Sequence, residues 1–251
     1  MNFVWILIAF LLGWILLMCT PSYAAEPSPN PFQFQSQSSN WTEEQFDWLR
    51  RQMVEEQLRE RDIKDERVLA AMSKVPRHQF VDPSWQDLAY SDHPLLIGHN
   101  QTISQPYIVA YMTQAAEISS EDTVLEIGTG CGYQAAILAE VAQEVYSIEI
   151  IPQLAAKARR TLSQLGYKNI TVKTGDGYQG WSEHSPYDAI IVTAAPEQIP
   201  QALIDQLATG AKMVIPVGTW YQDIVVLTKT KDRVIEERTL PVRFVPMRRK
   251  S

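Results

Sequence analysis

Cysteine is almost missing from this chain. Its 251 residues hold two, Cys19 and Cys131. Cys19 falls in an apolar leader, so Cys131 is left without an intrachain partner and no disulfide framework is expected. The four histidines and two cysteines never cluster at metal-ligand spacing, so no metal is expected. His78, His93 and His99 read as packed or exposed loop residues. Basic character is short as well: 22 Lys and Arg against 29 Asp and Glu give a net charge of −7. That leaves no footprint for nucleic acid, and the Arg248–Lys250 end is too brief to supply one. Internal repeats are also lacking.

Long apolar runs are limited to one, Phe3–Met18, 16 residues without a charge. It is short for a membrane span and suits the core of a signal peptide. Ser22-Tyr23-Ala24 follows as a small-residue cleavage pattern, with cutting after Ala24 or Ala25. No Lys or Arg precedes the run, so only the amino terminus supplies positive charge. Residues 1–25 therefore read as a signal peptide directing export to the periplasm or beyond, with an uncleaved anchor as the alternative and the only membrane contact. Met18 is too large for the position before a lipoprotein cysteine. Residues 26–40, rich in Pro, Ser, Gln and Asn, read as a flexible linker, and residues 41–251 as a single globular domain.

What is present is a regular alternation of apolar elements. Thr42 and Gln45 form a capping box for an amphipathic helix over Glu43–Arg61. Asp65 caps a second helix, Glu66–Ser73, and residues 77–95 look irregular. Pro106 suits the first turn of a helix carrying Ile108, Val109 and Met112. Ser104 then stands at or just before that start. It can serve as a plain N-cap, or its hydroxyl and the helix N-terminus can together hold a carboxylate. Further on come a helix from Pro152 stopped by Gly166, a strand Ile170–Thr174, a strand Asp188–Thr193, a helix Glu197–Leu207 ended by Gly210, and a strand Lys212–Val217. Trp220–Lys229 and Val234–Val245 supply the last, antiparallel strands. Repeated βα units imply an α/β fold: a Rossmann-like, doubly wound, mostly parallel sheet behind an N-terminal helical extension.

The organising stretch is VLEIGTGCGYQ, Val124–Gln134. A short apolar strand ends in Gly128, Gly130 and Gly132, and a helix follows. Glycine there permits positive φ and close ligand approach, and the helix start offers unpaired N–H groups. The next strand, Val145–Ile150, carries Glu149, 21 residues beyond Gly128, where a doubly wound fold places an acid for ribose hydroxyls. The glycine turn, Glu149, Asp176 and Thr193 all fall at carboxyl ends of strands, on one rim.

The dinucleotide pattern wants a glycine where Tyr133 stands, and Glu126 sits in the strand just ahead of the turn. An acid repels a pyrophosphate and suits an ammonium. S-adenosylmethionine has an ammonium, a sulfonium and no phosphate, so the reading leans to a methyltransferase. An exposed strand-end residue is the plainer reading of Glu126. A nicotinamide-dependent oxidoreductase and a non-catalytic exported nucleoside-binding protein are the rival classes.

From about Val54 to Met247 the chain resembles the protein-L-isoaspartate (D-aspartate) O-methyltransferases. The matching stretches are VPRHQFVD (Val75–Asp82), QTISQPYIVAYMT (Gln101–Thr113), VLEIGTGCGYQ, GDGYQGW (Gly175–Trp181), PYDAIIVTAAP (Pro186–Pro196) and VRFVPM (Val242–Met247). The glycine motif belongs to methyltransferases at large; the TISQP and DAIIVTAAP segments are more specific. The resemblance implies methyl transfer from S-adenosylmethionine to isoaspartyl residues of damaged proteins, by a monomer. It implies Ser104 as the active-site serine, with Gln105 and Pro106 lining the cofactor and substrate cleft. It implies Glu126, Gly128 and Gly130 at the methionine end, Glu149 at the ribose, Asp176 and Gly177 on the adenine side, and Val245 and Pro246 flanking the substrate. Two departures stand out: Met247-Arg248 follow where a Thr is common, and Cys131 replaces a usual Ser.

Overall fold

The structure, a computed structural model, describes residues 41–249. The leader and linker expected over residues 1–40 lie outside them. The anticipated capping box is formed: the Gln45 N–H donates to Thr42 Oγ1 at 3.3 Å and the Thr42 N–H to Gln45 Oε1 at 2.8 Å. It opens α1 (Glu43–Gln52), which passes into a π-helical stretch, Met53–Arg59, where one continuous α-helix was expected. The Asp65 carboxylate accepts from the Arg67 N–H at 2.9 Å and starts α2 (Glu66–Lys74). Residues 77–95 hold two 3₁₀ turns, Arg77–Phe80 and Pro83–Leu88. A small antiparallel pair, β1 (Leu95–Gly98) and β2 (Gln101–Ile103), leads into α3 (Pro106–Ala115).

The Rossmann-like body follows. In chain order it runs β3 (Thr123–Ile127), α4 (Tyr133–Val141), β4 (Glu144–Glu149), α5 (Pro152–Gln164), β5 (Ile170–Thr174), β6 (Tyr187–Val192), α6 (Gln201–Gln206), β7 (Leu207–Gly218), β8 (Gln222–Lys229) and β9 (Val234–Val242). The seven strands lie in the order β5-β4-β3-β6-β7-β8-β9. The first five are parallel, and β8 and β9 are antiparallel additions. Strand order reverses between β3 and β6, which is where such sheets bind ligands.

Alternation sorts the strands' side chains. Val124 and Val145 face one layer, with α2, α3, α4 and α5 packed over it. Leu125, Ile127 and Ile148 face the other, with Leu203 of α6. Two boundaries depart from expectation. The helix expected from Glu197 begins only at Gln201, because Pro200 has no N–H to give and biases its predecessor to extended backbone. Gly210 does not end that helix. It takes φ +92° within β7, where the pairing with β6 jumps from Leu207 to Lys212. At the end of the chain, β9 stops at Val242 rather than Val245.

Candidate active site

The glycine turn wraps the ends of β3 and β4. Gly128, Gly130 and Gly132 all have positive φ, at 100°, 55° and 94°. The Gly128 N–H donates to the Ile148 carbonyl at 2.8 Å, which holds the turn against the neighbouring strand. From β6's end the Thr193 hydroxyl donates to the Gly128 carbonyl at 2.6 Å. A Cβ at Gly128 would stand 2.3 Å from that hydroxyl oxygen, so only glycine fits. Gly132 is the N-cap of α4.

Three polar side chains lie under this turn on one sheet face, Glu126 of β3 and Ser147 and Glu149 of β4. Glu149 is 5% exposed and accepts from the Gly130 N–H at 2.8 Å and the Ile151 N–H at 2.9 Å. Glu126 is fully buried, so it is neither an exposed strand end nor part of a cleft wall. The Ser147 hydroxyl donates to its Oε2, and Ser147 Oγ lies 2.5 Å from Thr129 Oγ1. Its Oε1 has no partner among the described residues. Burial pushes the carboxyl up from 4.5 to about 8; the Ser147 hydroxyl opposes this and the Glu149 charge adds to it. Cys131, also buried, has its thiol pushed up to about 11 by desolvation, which leaves it unreactive.

Beyond the turn is a slot lined by Gly128, Gly130, Glu149, Gly177 and the C-terminal segment Val245–Arg248. Thr102, Thr193, Val245, Pro246 and Met247 line both this slot and a larger open cleft of about 1530 Å³. Ser104 and Gln105 line the larger cleft. Ser104 is not a cap. Gln105, kept extended by Pro106 at the first helical position, is the N-cap of α3, and it makes no side-chain cap bond. The Ser104 hydroxyl makes no hydrogen bond to another described residue, while its carbonyl accepts from Arg77 Nη2 at 2.7 Å.

The remaining predicted residues fall nearby but off the walls. Pro106 is buried. Asp176 caps the 3₁₀ turn Gly177–Gln179, its carboxylate accepting from the Tyr178 N–H at 2.9 Å. The C-terminal segment is tied across the rim. The Ala195 N–H donates to the Val245 carbonyl at 2.9 Å and the Met247 N–H to the Ala195 carbonyl at 2.8 Å. The Phe244 N–H donates to Gln222 Oε1 at 2.6 Å. Met247, one of the residues that follow where a Thr is common in the resembled family, lines the slot, and Arg249 lies 3.8 Å over the Tyr178 ring. Sequence reading missed Gln222, Tyr178 and Arg77. Arg77 had a signal, its place in VPRHQFVD, but nothing in the sequence says what it touches.

The slot fits an adenosyl sulfonium compound. Gly128, Gly130 and Gly177 line it without side chains, and Gly128 and Gly177 pack too closely on Thr193 and Ile127 to carry one. Glu149 sits at the strand end with each carboxylate oxygen able to accept a second hydrogen bond.

Comparison with known proteins agrees. The sequence model of the family described as Protein-L-isoaspartate(D-aspartate) O-methyltransferase (PCMT) matches residues 49–251. A protein-L-isoaspartate O-methyltransferase of Gloeobacter violaceus is 60% identical over 201 residues, covering 79% of this chain and 98% of its own. Another from Picosynechococcus sp. is 60% identical over 199 residues, covering 79% and 90%. A solved protein-L-isoaspartate O-methyltransferase superposes with a TM-score of 0.73 at 28% identity, over 78% of this chain and 65% of that one. A Plasmodium falciparum protein described as a β-aspartate methyltransferase, solved with S-adenosyl-L-homocysteine, shares the fold with a TM-score of 0.69 at 24% identity, over 80% and 99%. By its sequence, this chain belongs to the protein-L-isoaspartate (D-aspartate) O-methyltransferase family.

Proposed function

We propose that this enzyme methylates the α-carboxylate of L-isoaspartyl, and also D-aspartyl, residues in damaged proteins, with S-adenosylmethionine as donor. One observation supports it most. The uncapped Ser104 hydroxyl opens on a cleft that shares Thr193, Val245 and Pro246 with the glycine-and-Glu149 slot. A bound peptide acid and a bound nucleoside would therefore meet across common walls. Family membership does not favour the nicotinamide alternative or a non-catalytic binding protein.

The donor supplies a methyl group activated by its sulfonium. Glu149 accepts the ribose hydroxyls, and the Gly128–Gly130 backbone cradles the methionine end. Asp176 and Gly177 would flank the adenine side, while Gln105, Val245 and Pro246 line the peptide's path and buried Pro106 fixes the backbone behind it. A carboxylate is already ionised at neutral pH and needs no general base. The protein's work is alignment of oxygen, methyl carbon and sulfur, with water kept out by the Val245–Met247 segment. Ser104 donates a hydrogen bond that orients the carboxylate. In the resulting methyl ester the following backbone amide nitrogen attacks the ester carbonyl without further help, losing its proton as methanol leaves and a succinimide closes; hydrolysis returns part of it to aspartate.

The test is Ser104→Ala on an isoaspartyl peptide, with the normal aspartyl peptide as control. Turnover should fall about 10- to 100-fold with cofactor affinity unchanged; undiminished turnover removes Ser104 from the mechanism. The apolar run at Phe3–Met18 and the small residues after it support export. Sequencing the mature N-terminus from fractionated cells should find a start at Ala25 or Glu26. A start at Met1 in a membrane fraction supports the anchor, and in a soluble cytoplasmic fraction overturns both.

A further inference from the structure

Arg77 is fully buried, yet it makes no ion pair with a carboxylate among the described residues. Its Nε donates to the Ala89 carbonyl at 2.6 Å and its Nη2 to the Ser104 carbonyl at 2.7 Å. Its guanidinium carbon lies 4.8 Å from the Tyr133 ring centroid, at the start of α4. Nη1 has no hydrogen-bond partner among the described residues. Burying a cation against two neutral carbonyls and a ring face is costly, and an apolar side chain of similar length would serve stability as well or better. Stability is therefore a poor reason for an arginine at this place.

Geometry offers a better one. Ser104 sits where β2 has ended and α3 has not begun, followed by a Gln105 that makes no side-chain cap bond. No helical or sheet hydrogen bond fixes the Ser104 carbonyl; the Arg77 guanidinium does. A guanidinium is a rigid planar fork, so two donors on it set the distance between the two main-chain segments they hold. Fixing the Ser104 carbonyl sets its peptide plane, and with it the direction in which Cα presents the side chain.

We propose that Arg77 is a positioning residue for methyl transfer: from behind the cleft it holds the Ser104 backbone so that the hydroxyl meets the substrate carboxylate. The proposal rests on the reading of Ser104 given above. It differs from a purely structural role because it predicts loss of turnover without loss of fold or of cofactor binding.

The experiment is a cycle of four proteins: wild type, Arg77→Met, Ser104→Ala and the double variant. Turnover and KM are measured on an isoaspartyl peptide, S-adenosylmethionine affinity by calorimetry, and folding by thermal melting. Arg77→Met should melt cooperatively, bind cofactor within about twofold of wild type, and lose about tenfold or more in kcat. Arg77→Lys should recover part of that loss. In the Ser104→Ala background the same change should cost less than about twofold, because there is no hydroxyl left to aim. A folded Arg77→Met with wild-type kcat, or a loss repeated in full on the Ser104→Ala background, overturns the proposal. Should Arg77→Met fail to melt cooperatively, Arg77→Lys carries the cycle under the same criteria. Wild-type turnover in Ser104→Ala alone would instead bring down the serine reading, and this proposal with it.

Discussion

Two acids end neighbouring parallel strands under one glycine turn, and their fates differ. Glu149 is the last residue of β4 and reaches the rim, where two backbone N–H groups hold its two oxygens. Glu126 stands one residue short of the end of β3, in register with Ser147, and is sealed beneath the turn. One has its hydrogen bonds satisfied and faces the slot. The other has a single hydroxyl partner and an oxygen with none among the described residues. The shift is two residues along the strand, about 6.6 Å. That step separates a ligand-facing carboxylate from a buried one whose charge the protein resists.

Breaking the rim acid should have the larger effect. In Glu149→Ala the Gly130 and Ile151 N–H groups lose their acceptor, and a ribose would find none. Hydrogen bonds to charged groups contribute about 1.5–3 kcal/mol each, so the dissociation constant for S-adenosylmethionine should rise about 10- to 100-fold. Calorimetric titration checks this. An unchanged constant would mean that Glu149 serves only to brace the turn. Glu149→Gln should fall between, since it keeps an acceptor oxygen but loses the charge.

The same contrast shows what the sequence could tell. Gly128, Gly130 and Gly132 were legible because positive φ leaves few other residues eligible, and the rim position of Glu149 followed from its spacing to them. The mostly parallel α/β class was legible because apolar runs alternate with helical ones; the order of the strands was not, since alternation does not say which strands are neighbours. Ser104 was placed at or just before a helix start and lies one residue before the N-cap; of its two readings the plain cap fails, because Gln105 holds that position ahead of Pro106. The helix expected to end at Leu207 ends at Gln206, but Gly210 is not its stop, since a glycine marks positive φ whether it ends a helix or eases a strand into register. Glu126 and Arg77 were not legible. Both are ionisable residue types that composition places at the surface; only the packed tertiary structure shows that one lies under the turn and the other against the Ser104 carbonyl.

Glu126→Gln gives the smaller effect and sharpens the comparison. Its carboxyl is raised by burial to about 8 from an unfolded value near 4.5. Between those two values the folded protein holds a proton that the unfolded chain has released, so stability falls as pH rises through the window. Below about 4.5 the group costs nothing by this linkage, and above about 8 the full penalty is in place. Glutamine cannot ionise and keeps an oxygen for the Ser147 hydroxyl. The variant should therefore match wild type near pH 5 and exceed it near pH 8 by on the order of 2 kcal/mol, read as the difference in denaturant unfolding free energy. If the two unfolding curves stay parallel across that window, Glu126 is ionised in the fold, and an unseen cation or water must satisfy its Oε1. Cofactor titration on the same variant separates the two acids: affinity that falls as far as in Glu149→Ala would show that the buried carboxyl reaches the ligand's ammonium through the turn, and affinity that holds would confine nucleoside recognition to the rim.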